Sequence, residues 1–432
     1  MSVEPWSHEP CPHLTRAWWG DRLVAESSAS VRAQPPVGSP QIWFPLADVR
    51  LEEFDGGSRV SVDGDVGPQR FWSIDGTVGA PEDPGSDWHT RTAVRVDGRD
   101  VLWTLLEPQL EFAWVADHAT FDDDRVRVEL VESDPDGNPS HVTVTRFPVW
   151  GDARDLIAIL DVAPEGDLVY VGQGRADLRR PVVEGSQMLG QSVVAAMRHT
   201  NGRRVVSAHM VFLRAADSRV PLRFELDERS AGRTFTALGV DVGQGDRLCA
   251  TGTLLLDDGA PDLVRHAVES PPVPGPWESE PYDMSVTGRD LRIVDGAYTN
   301  DPDAPVGPPV LDAWVRFREV PDDPALHAGL LAQFTGHLSL AAALRPHAGI
   351  GQHEAHRTLS MAINAIAISF HADVHADRWM RYHHESTFAG DGMTHSECRV
   401  HDEQGALLAS FTVDAMARRF ASAPAADERS AL

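Results

Sequence analysis

Histidine is the residue type best placed to do chemistry in this chain. Eleven of its 19 histidines fall between His327 and His401. The adjacent pair His383 and His384 runs directly into Glu385-Ser386-Thr387. Imidazole changes charge near neutral pH, so one of these rings could take a proton from water or a hydroxyl. Side chains alternate between the faces of a strand, which puts His383 with Glu385 and Thr387, and His384 with Ser386. The plainer use of each ring is a hydrogen bond to a strand neighbour. His353-x-x-His356 and His371-x-x-x-His375 have the spacing of ligand pairs. Neither fits HExxH and no cysteine stands at ligand spacing, so no metal site is assigned. No serine lies in a G-x-S-x-G elbow. The glycine pair in GQGRAD (residues 172–177) lacks the strand-to-helix setting of a phosphate loop.

The 38 basic residues are all arginine; the 432-residue chain has no lysine. Schiff-base and pyridoxal phosphate chemistry and the P-loop, which need a lysine amine, are excluded, and no cofactor is implied. A formal charge of −27 disfavours a nucleic-acid partner. A phosphate-bearing ligand would have to be held by arginine forks. The opening residues have neither a basic nor an apolar leader region, and no stretch approaches 20 apolar residues, so no membrane association is expected. Cys11, Cys249 and Cys398 are odd in number and far apart, as suits a reducing cytoplasm.

Positioning such residues requires a scaffold, and three zones are visible. The first 150 residues carry 26 acidic residues against 12 arginines and read as short β segments with Gly, Pro and Asp punctuation, including the turns Asp97-Gly98 and Asp136-Gly137. From about Asp155 a strand-like stretch leads to a helix over 186–200, whose Met188, Leu189, Val193, Val194 and Met197 form one apolar face. Four strand-like runs follow, to residue 257. Residues 258–289 are Pro-rich and read as a linker. The order then recurs: strands from 290, a long apolar helix over 325–347 stopped by Pro346, and four more strand-like runs. Domains are therefore expected at 1–152, 153–257 and 290–422, with the linker at 258–289 and a tail at 423–432. Two helix-plus-sheet units side by side can bury both helices under one sheet.

VVEGSQMLGQSVVAAM (182–197) and HMVFLRAADSRVPLRFELDERSAGRTFTA (209–237) resemble the first half of the acyl-CoA thioesterase II (TesB-type) family. ALRPH, SFHADVHADRWMRYHHEST and ALLASFTVDAMARR resemble its second half, in the right order. The resemblance covers about 155–420 and implies an α+β class, a double hotdog of two helix-on-antiparallel-sheet units behind an N-terminal β-rich domain. RAWWGDRLVAESSASVRAQPPVGSPQIWFPLADVRLEEF, FWSIDG and FAWVADHATFDDDRVRVELVE in the first third resemble a small β-rich family of unknown function, sometimes catalogued as nucleotidyltransferase-like. That family's Cys-Pro-containing central segment is missing here, and no catalysis is assigned to this zone.

The thioesterase resemblance implies an Asp, Thr/Ser and Gln triad that polarises a water. Only Thr387 is retained; the Asp position is Ala365 and the Gln position is Val413. Asn364 and Asp414 are polar neighbours that a bulge could bring round, and His383 is a candidate base. Glu184-Gly185-Ser186-Gln187 precedes the first helix, and by resemblance it lines a groove where Gly185 and Gln187 would meet substrate; Ser186 could equally be an N-cap. Gly336 occupies the place of a family polar residue, with His337 next to it as a secondary substrate candidate. Arg214, Arg219, Arg223, Arg233, Arg378, Arg381 and Arg399 are candidate partners for the phosphates of coenzyme A, Arg233 foremost. Three functions are compatible: hydrolysis of an acyl thioester, dehydration or isomerisation of a thioester-linked substrate using a histidine base, and acyl-CoA binding without catalysis. A homo-oligomer is compatible with the fold.

Overall fold

The computed structural model describes residues 7–34, 41–62, 68–73, 100–106, 108, 110–122, 126–133, 139–144, 151–174, 182–282, 286–298, 304–355 and 358–420. The turns at Asp97-Gly98 and Asp136-Gly137, the partner residue His356 and the tail from 423 lie outside them.

In the N-terminal unit, strands Ser7–Pro10, Val31–Gln34, Gln41–Pro45, His118–Phe121, Asp100–Leu105, Pro68–Ser73 and Asp55–Val62 form, in that spatial order, a seven-stranded sheet. Pro139–Val144, Arg127–Ser133, Leu14–Trp19 and Arg22–Ser27 form a second, four-stranded one. Val24, Phe44, Leu102, Phe121 and Val128 belong to the shared core. This unit is tied to the rest of the chain by polar contacts. Glu132 accepts from the Gly288 N–H at 2.6 Å, Arg32 donates to Asp155 at 3.1 Å, and Arg318 pairs with Glu132.

The remainder is built on a thirteen-stranded sheet. Its strands are β1 (Ala163–Gly166), β2 (Val169–Gly172), β3 (Arg204–Phe212), β4 (Leu222–Ala231), β5 (Phe235–Gln244), β6 (Arg247–Asp257), β7 (Glu280–Pro281), β8 (Arg289–Ile293), β9 (Val310–Phe317), β10 (Leu359–Phe370), β11 (Met380–Gly390), β12 (Met393–Asp402) and β13 (Leu407–Arg419). The spatial order is β1-β2-β4-β5-β6-β3-β10-β13-β12-β11-β9-β8-β7. Reading outward from the β3–β10 seam gives the same sequence of roles on both sides, so two like units meet along an antiparallel junction, with Ser207 opposite Ser369 and His209 opposite Ala367. Each unit also uses strands ahead of its helix, β1 and β2 in the first and β7 to β9 in the second, so the units have six and seven strands rather than the four counted after each helix. Alternation makes these strands one-sided: Leu222, Phe224 and Leu226 on β4 are buried while Arg223, Glu225 and Asp227 face solvent.

Helices α1 (Ala153–Leu160), α2 (Gly185–His199), α3 (Pro324–Phe334) and α4 (Ser339–Leu344) complete the unit, with α2 to α4 against the inner face of the sheet. α1 falls in the stretch expected to be strand-like. Asp152 Oδ1 accepts from the Arg154 N–H at 2.8 Å and Asp155 returns to the Asp152 N–H at 3.3 Å, a reciprocal cap that starts a helix. The long helix expected over 325–347 is broken at 335–338. There Gly336 and His337 N–H bond i−3 carbonyls at 3.4 and 3.1 Å, and Leu338 turns left-handed at φ 71°. Thr335 Oγ1, 2.6 Å from the Ala332 carbonyl, occupies an acceptor at the end of α3. Among the described residues no helix is long and apolar enough to cross a membrane.

The segment after residue 257 lies against the outer face of the sheet. Trp314 Nε1 donates to Pro274 O at 3.0 Å, Arg381 to Pro271 O at 2.6 Å, and Trp277 sits edge-on to Trp379.

α2 crosses α3 at two glycines. A Cβ on Gly190 would stand 2.7 Å from the Gly329 carbonyl oxygen, and one on Gly329 2.7 Å from Val194 Cγ2. Gly190→Ala should therefore lose about 1–3 kcal/mol in urea denaturation through overpacking. Gly166→Ala on β1, with nothing within 4 Å of the new Cβ, should stay within about 0.5 kcal/mol.

Candidate active site

The first turn of α2 meets the α3–α4 break. Glu184 is the N-cap residue, in extended conformation, and no side chain caps the turn. Ser186, which could have been the cap, is instead inside the helix and buried. A Cβ at Gly336 would collide with Ser186 Oγ and approach Ile363 Cδ1 at 3.5 Å. Only glycine lets the break come this close. The first turn of α2, which has no side-chain cap, thus lies beside the break, at the positive end of the helix.

A polar cluster fills this junction. Gln333 Nε2 donates to Glu184 Oε2 at 3.2 Å. His337 Nε2 stands 3.9 Å from Glu184 Oε1, too far for a direct hydrogen bond. The His337 ring stacks on Phe334 with centroids 4.7 Å apart, and the Arg289 guanidinium also lies over the Phe334 ring, 5.3 Å from its centroid. Deeper in, His384 Nδ1 contacts Ser339 Oγ at 3.0 Å and Cys398 Sγ at 3.4 Å, and Tyr382 donates to Leu331 O at 3.1 Å. Gln333 Oε1, His337 Nδ1, His384 Nε2 and Ser396 Oγ are buried without a protein partner. Native interiors rarely leave such atoms unpaired except where a water or ligand belongs. Glu184 and His337 keep 15% and 12% of their side-chain surface exposed, so the cluster reaches solvent.

Burial pushes the Glu184 carboxyl up from 4.5 to about 7, with Arg289 and the Gln333 hydrogen bond pulling the other way. Burial, reinforced by Arg289, pushes His337 down to about 3, and burial does the same to His384. Both imidazoles are neutral at pH 7, and Glu184 is poised to take up or release a proton there.

The residues singled out in the sequence divide between the two sides of the sheet. Gly185 and His337 are at the junction. Gly185 also has no room for a Cβ, which would stand 2.9 Å from the Phe212 ring. Gln187 Nε2 reaches Gln173 O and Gln191 Oε1, both at 3.2 Å, and so pins the chain after β2. Arg233 is exposed in the β4–β5 turn with its carbonyl held by Arg203 at 3.0 Å. Arg203 follows the C-terminus of α2, so Arg233 is about 20 Å, the length of that helix, from the α2 N-terminus. His383 is on the outer face, 3.1 Å from Asp312, which also holds Arg381 at 3.0 Å. It lies four strand residues from Thr387, about 13 Å, and cannot share a water with it.

Thr387 and Asn364 are both the extra residue of a β-bulge. The register slips between Ser386 and Phe388 on β11, and between Ile363 and Ala365 on β10. Thr387 is exposed; Asn364 Oδ1 is buried and unpartnered. Asp414 is exposed and bonded to His395 at 2.7 Å. Thr387, His395, Asp414 and Asn364 occupy one row across β11, β12, β13 and β10, but three strand spacings, about 14 Å, separate Asn364 from Thr387. Val413 is in the core. On this outer side a groove of about 670 Å³ crosses the seam, floored by His209, His395 and Arg399. Among the described residues no group of three metal-ligating side chains forms. From sequence Glu184 was only part of the turn expected to line the groove, with no role of its own; its signal was an acidic residue directly ahead of Gly-Ser-Gln.

Two helix-on-sheet units fused along β3 and β10, with their helices buried together, define a double hotdog. Residues 177–256 match the family profile described as acyl-CoA thioesterase N-terminal domain, and 265–413 that of the C-terminal domain. The chain belongs to the acyl-CoA thioesterase family. It is similar to acyl-coenzyme A thioesterase 8 of Mus musculus, 25% identical over 66% of this chain and 97% of the mouse protein. It is similar to acyl-CoA thioesterase 2 of Haemophilus influenzae, 24% identical over 61% and 97%. A solved acyl-CoA thioesterase II, TesB2 of Mycobacterium marinum, superposes with a TM-score of 0.52 at 25% identity, over 62% of this chain and 99% of that one. The family profiles begin at residue 177, beyond the N-terminal β unit.

The charge network has measurable consequences. Glu184 titrates higher folded than unfolded, so its stabilising contribution is present below pH 4.5 and lost as pH rises through 7. His337 and His384 titrate lower folded, so theirs is present above 6.5 and lost as pH falls through 3. Relative to wild type, Glu184→Gln should gain on the order of 2 kcal/mol in unfolding free energy between pH 4.5 and 8. On the outer face, Asp312→Ala strands Arg381, whose side chain is 3% exposed, and should cost about 3 kcal/mol by thermal denaturation.

Proposed function

We propose that the chain hydrolyses acyl thioesters of coenzyme A at the junction of the α2 N-terminus and the α3–α4 break. The observation that carries this reading is the uncapped first turn of α2, held against a cluster of buried polar atoms that lack protein partners. A thioester carbonyl placed there puts its oxygen at the N–H groups of the first turn, which take the negative charge as water adds to the carbon. Re-formation of the carbonyl breaks the C–S bond and releases the coenzyme thiol and the acid. A thioester is already activated, so a positioned water and fixed donors suffice. Among the arginines considered for coenzyme phosphate, Arg214, Arg219, Arg223 and Arg381 already serve protein acceptors. Three buried, unbridged cysteines suit a cytoplasmic setting, and association into a homo-oligomer is compatible with the sheet.

Ala365 and Val413 at the family's Asp and Gln positions favour a second reading, in which the fold binds acyl-CoA without turnover. A panel of acyl-CoAs of increasing chain length separates the two by free-thiol release. Hydrolysis predicts release well above the buffer rate for part of the panel, with Thr387→Val within about three-fold of wild type because that residue is an exposed bulge position on β11. Calorimetric binding with no thiol release across the panel would support the second reading and end the first.

A further inference from the structure

We infer that Glu184 is the general base of the hydrolysis, a carboxylate placed at the N-terminus of α2 that replaces the one missing at Ala365. This rests on the hydrolase reading above. The geometry gives the two carboxylate oxygens different work. Oε2 is fixed by Gln333 Nε2 at 3.2 Å. Oε1 faces His337 Nε2 across 3.9 Å, a gap that a water can bridge. The carboxylate is the N-cap residue itself, so a water on Oε1 is adjacent to the first-turn N–H groups that would hold the carbonyl oxygen. Base and oxyanion donors thus come from one turn of one helix.

The neighbours on every packed element are compatible with this role. Arg289 on β8 faces the carboxyl, His337 approaches from the break, and Tyr382 and His384 on β11 lie behind His337. Arg289 carries charge at pH 7, and it favours the ionised carboxylate. Burial offsets Arg289, which leaves the carboxyl titrating near neutrality, where a base both ionises and accepts protons effectively.

Glu184 Oε1 takes a proton from water as the water oxygen bonds to the carbonyl carbon and the C=O π pair moves to oxygen. The oxyanion reforms the double bond, the C–S bond breaks, and the departing thiolate receives the proton from Glu184. One thioester and one water give one carboxylic acid and one thiol, with the carboxylate restored.

The test is steady-state hydrolysis of the best acyl-CoA by wild type, Glu184→Gln and Glu184→Asp, with His395→Gln on the outer face as a control. Glu184→Gln should lower kcat roughly 100-fold or more with KM within three-fold, Glu184→Asp should recover part of the rate, and His395→Gln should match wild type. The wild-type rate should rise through a single ionisation near pH 7 that Glu184→Gln lacks. A Glu184→Gln rate within three-fold of wild type, or a wild-type profile flat between pH 5 and 8, overturns the inference. The profile decides the matter even if the glutamine variant fails to fold. Inactivity of wild type on every acyl-CoA is a separate failure, that of the hydrolase reading.

Discussion

The close crossing of α2 on α3 is the constraint from which the rest of the molecule follows. Gly190 and Gly329 remove the side chains that would hold the helices apart, and Val194 fills the space so created. Two helices at this separation can share one core, so the two sheets must join at β3 and β10 to wrap them. The same crossing slides the first turn of α2 alongside the end of α3. Contact between Ser186 and Gly336 is the outer limit of that approach. A helix that continued straight through residue 336 would keep its side chains wrapped about its own axis; the break turns Gln333 and His337 toward Glu184.

Desolvation sets the chemistry of the junction. In water Glu184 would be an ordinary carboxylate and His337 a half-protonated imidazole. Packed between Phe334, Arg289 and the helix end, the acid is pushed up to titrate near pH 7 and the imidazole is pushed down until it is neutral there. The alternative, two opposite charges formed and paired in the interior, would cost more desolvation than the pairing returns. The outer face uses the opposite strategy. Asp312 joins Arg381 and His383 under the 258–289 segment, where the ions are paired and their role is to pin that segment to the sheet.

Much of the scaffold was readable one residue at a time. Alternation placed nearly every strand of the large sheet, and the recurrence of helix then strands announced two like units. α1 was missed because its eight residues are too few to show a helical period, and its signal was the Asp152/Asp155 cap instead. The broken helix was missed because Ala and Leu run on both sides of Thr335-Gly336, so composition alone favours continuity. Parity placed His383 and His384 on opposite faces correctly. Parity failed at Thr387 and Asn364, since a bulge is a mismatch between two strands and has no signature in either one alone.

Residue identity and local spacing were enough to set the class of architecture, the family and the absence of lysine chemistry, because none of these depends on which distant residues meet. Tertiary structure alone decided the site. Glu184 and Gln333 are separated by 149 positions and meet only because two glycine-bearing helices cross. Its carboxyl reaches the neutral range because burial, which no local pattern encodes, removes the water that would keep it ionised.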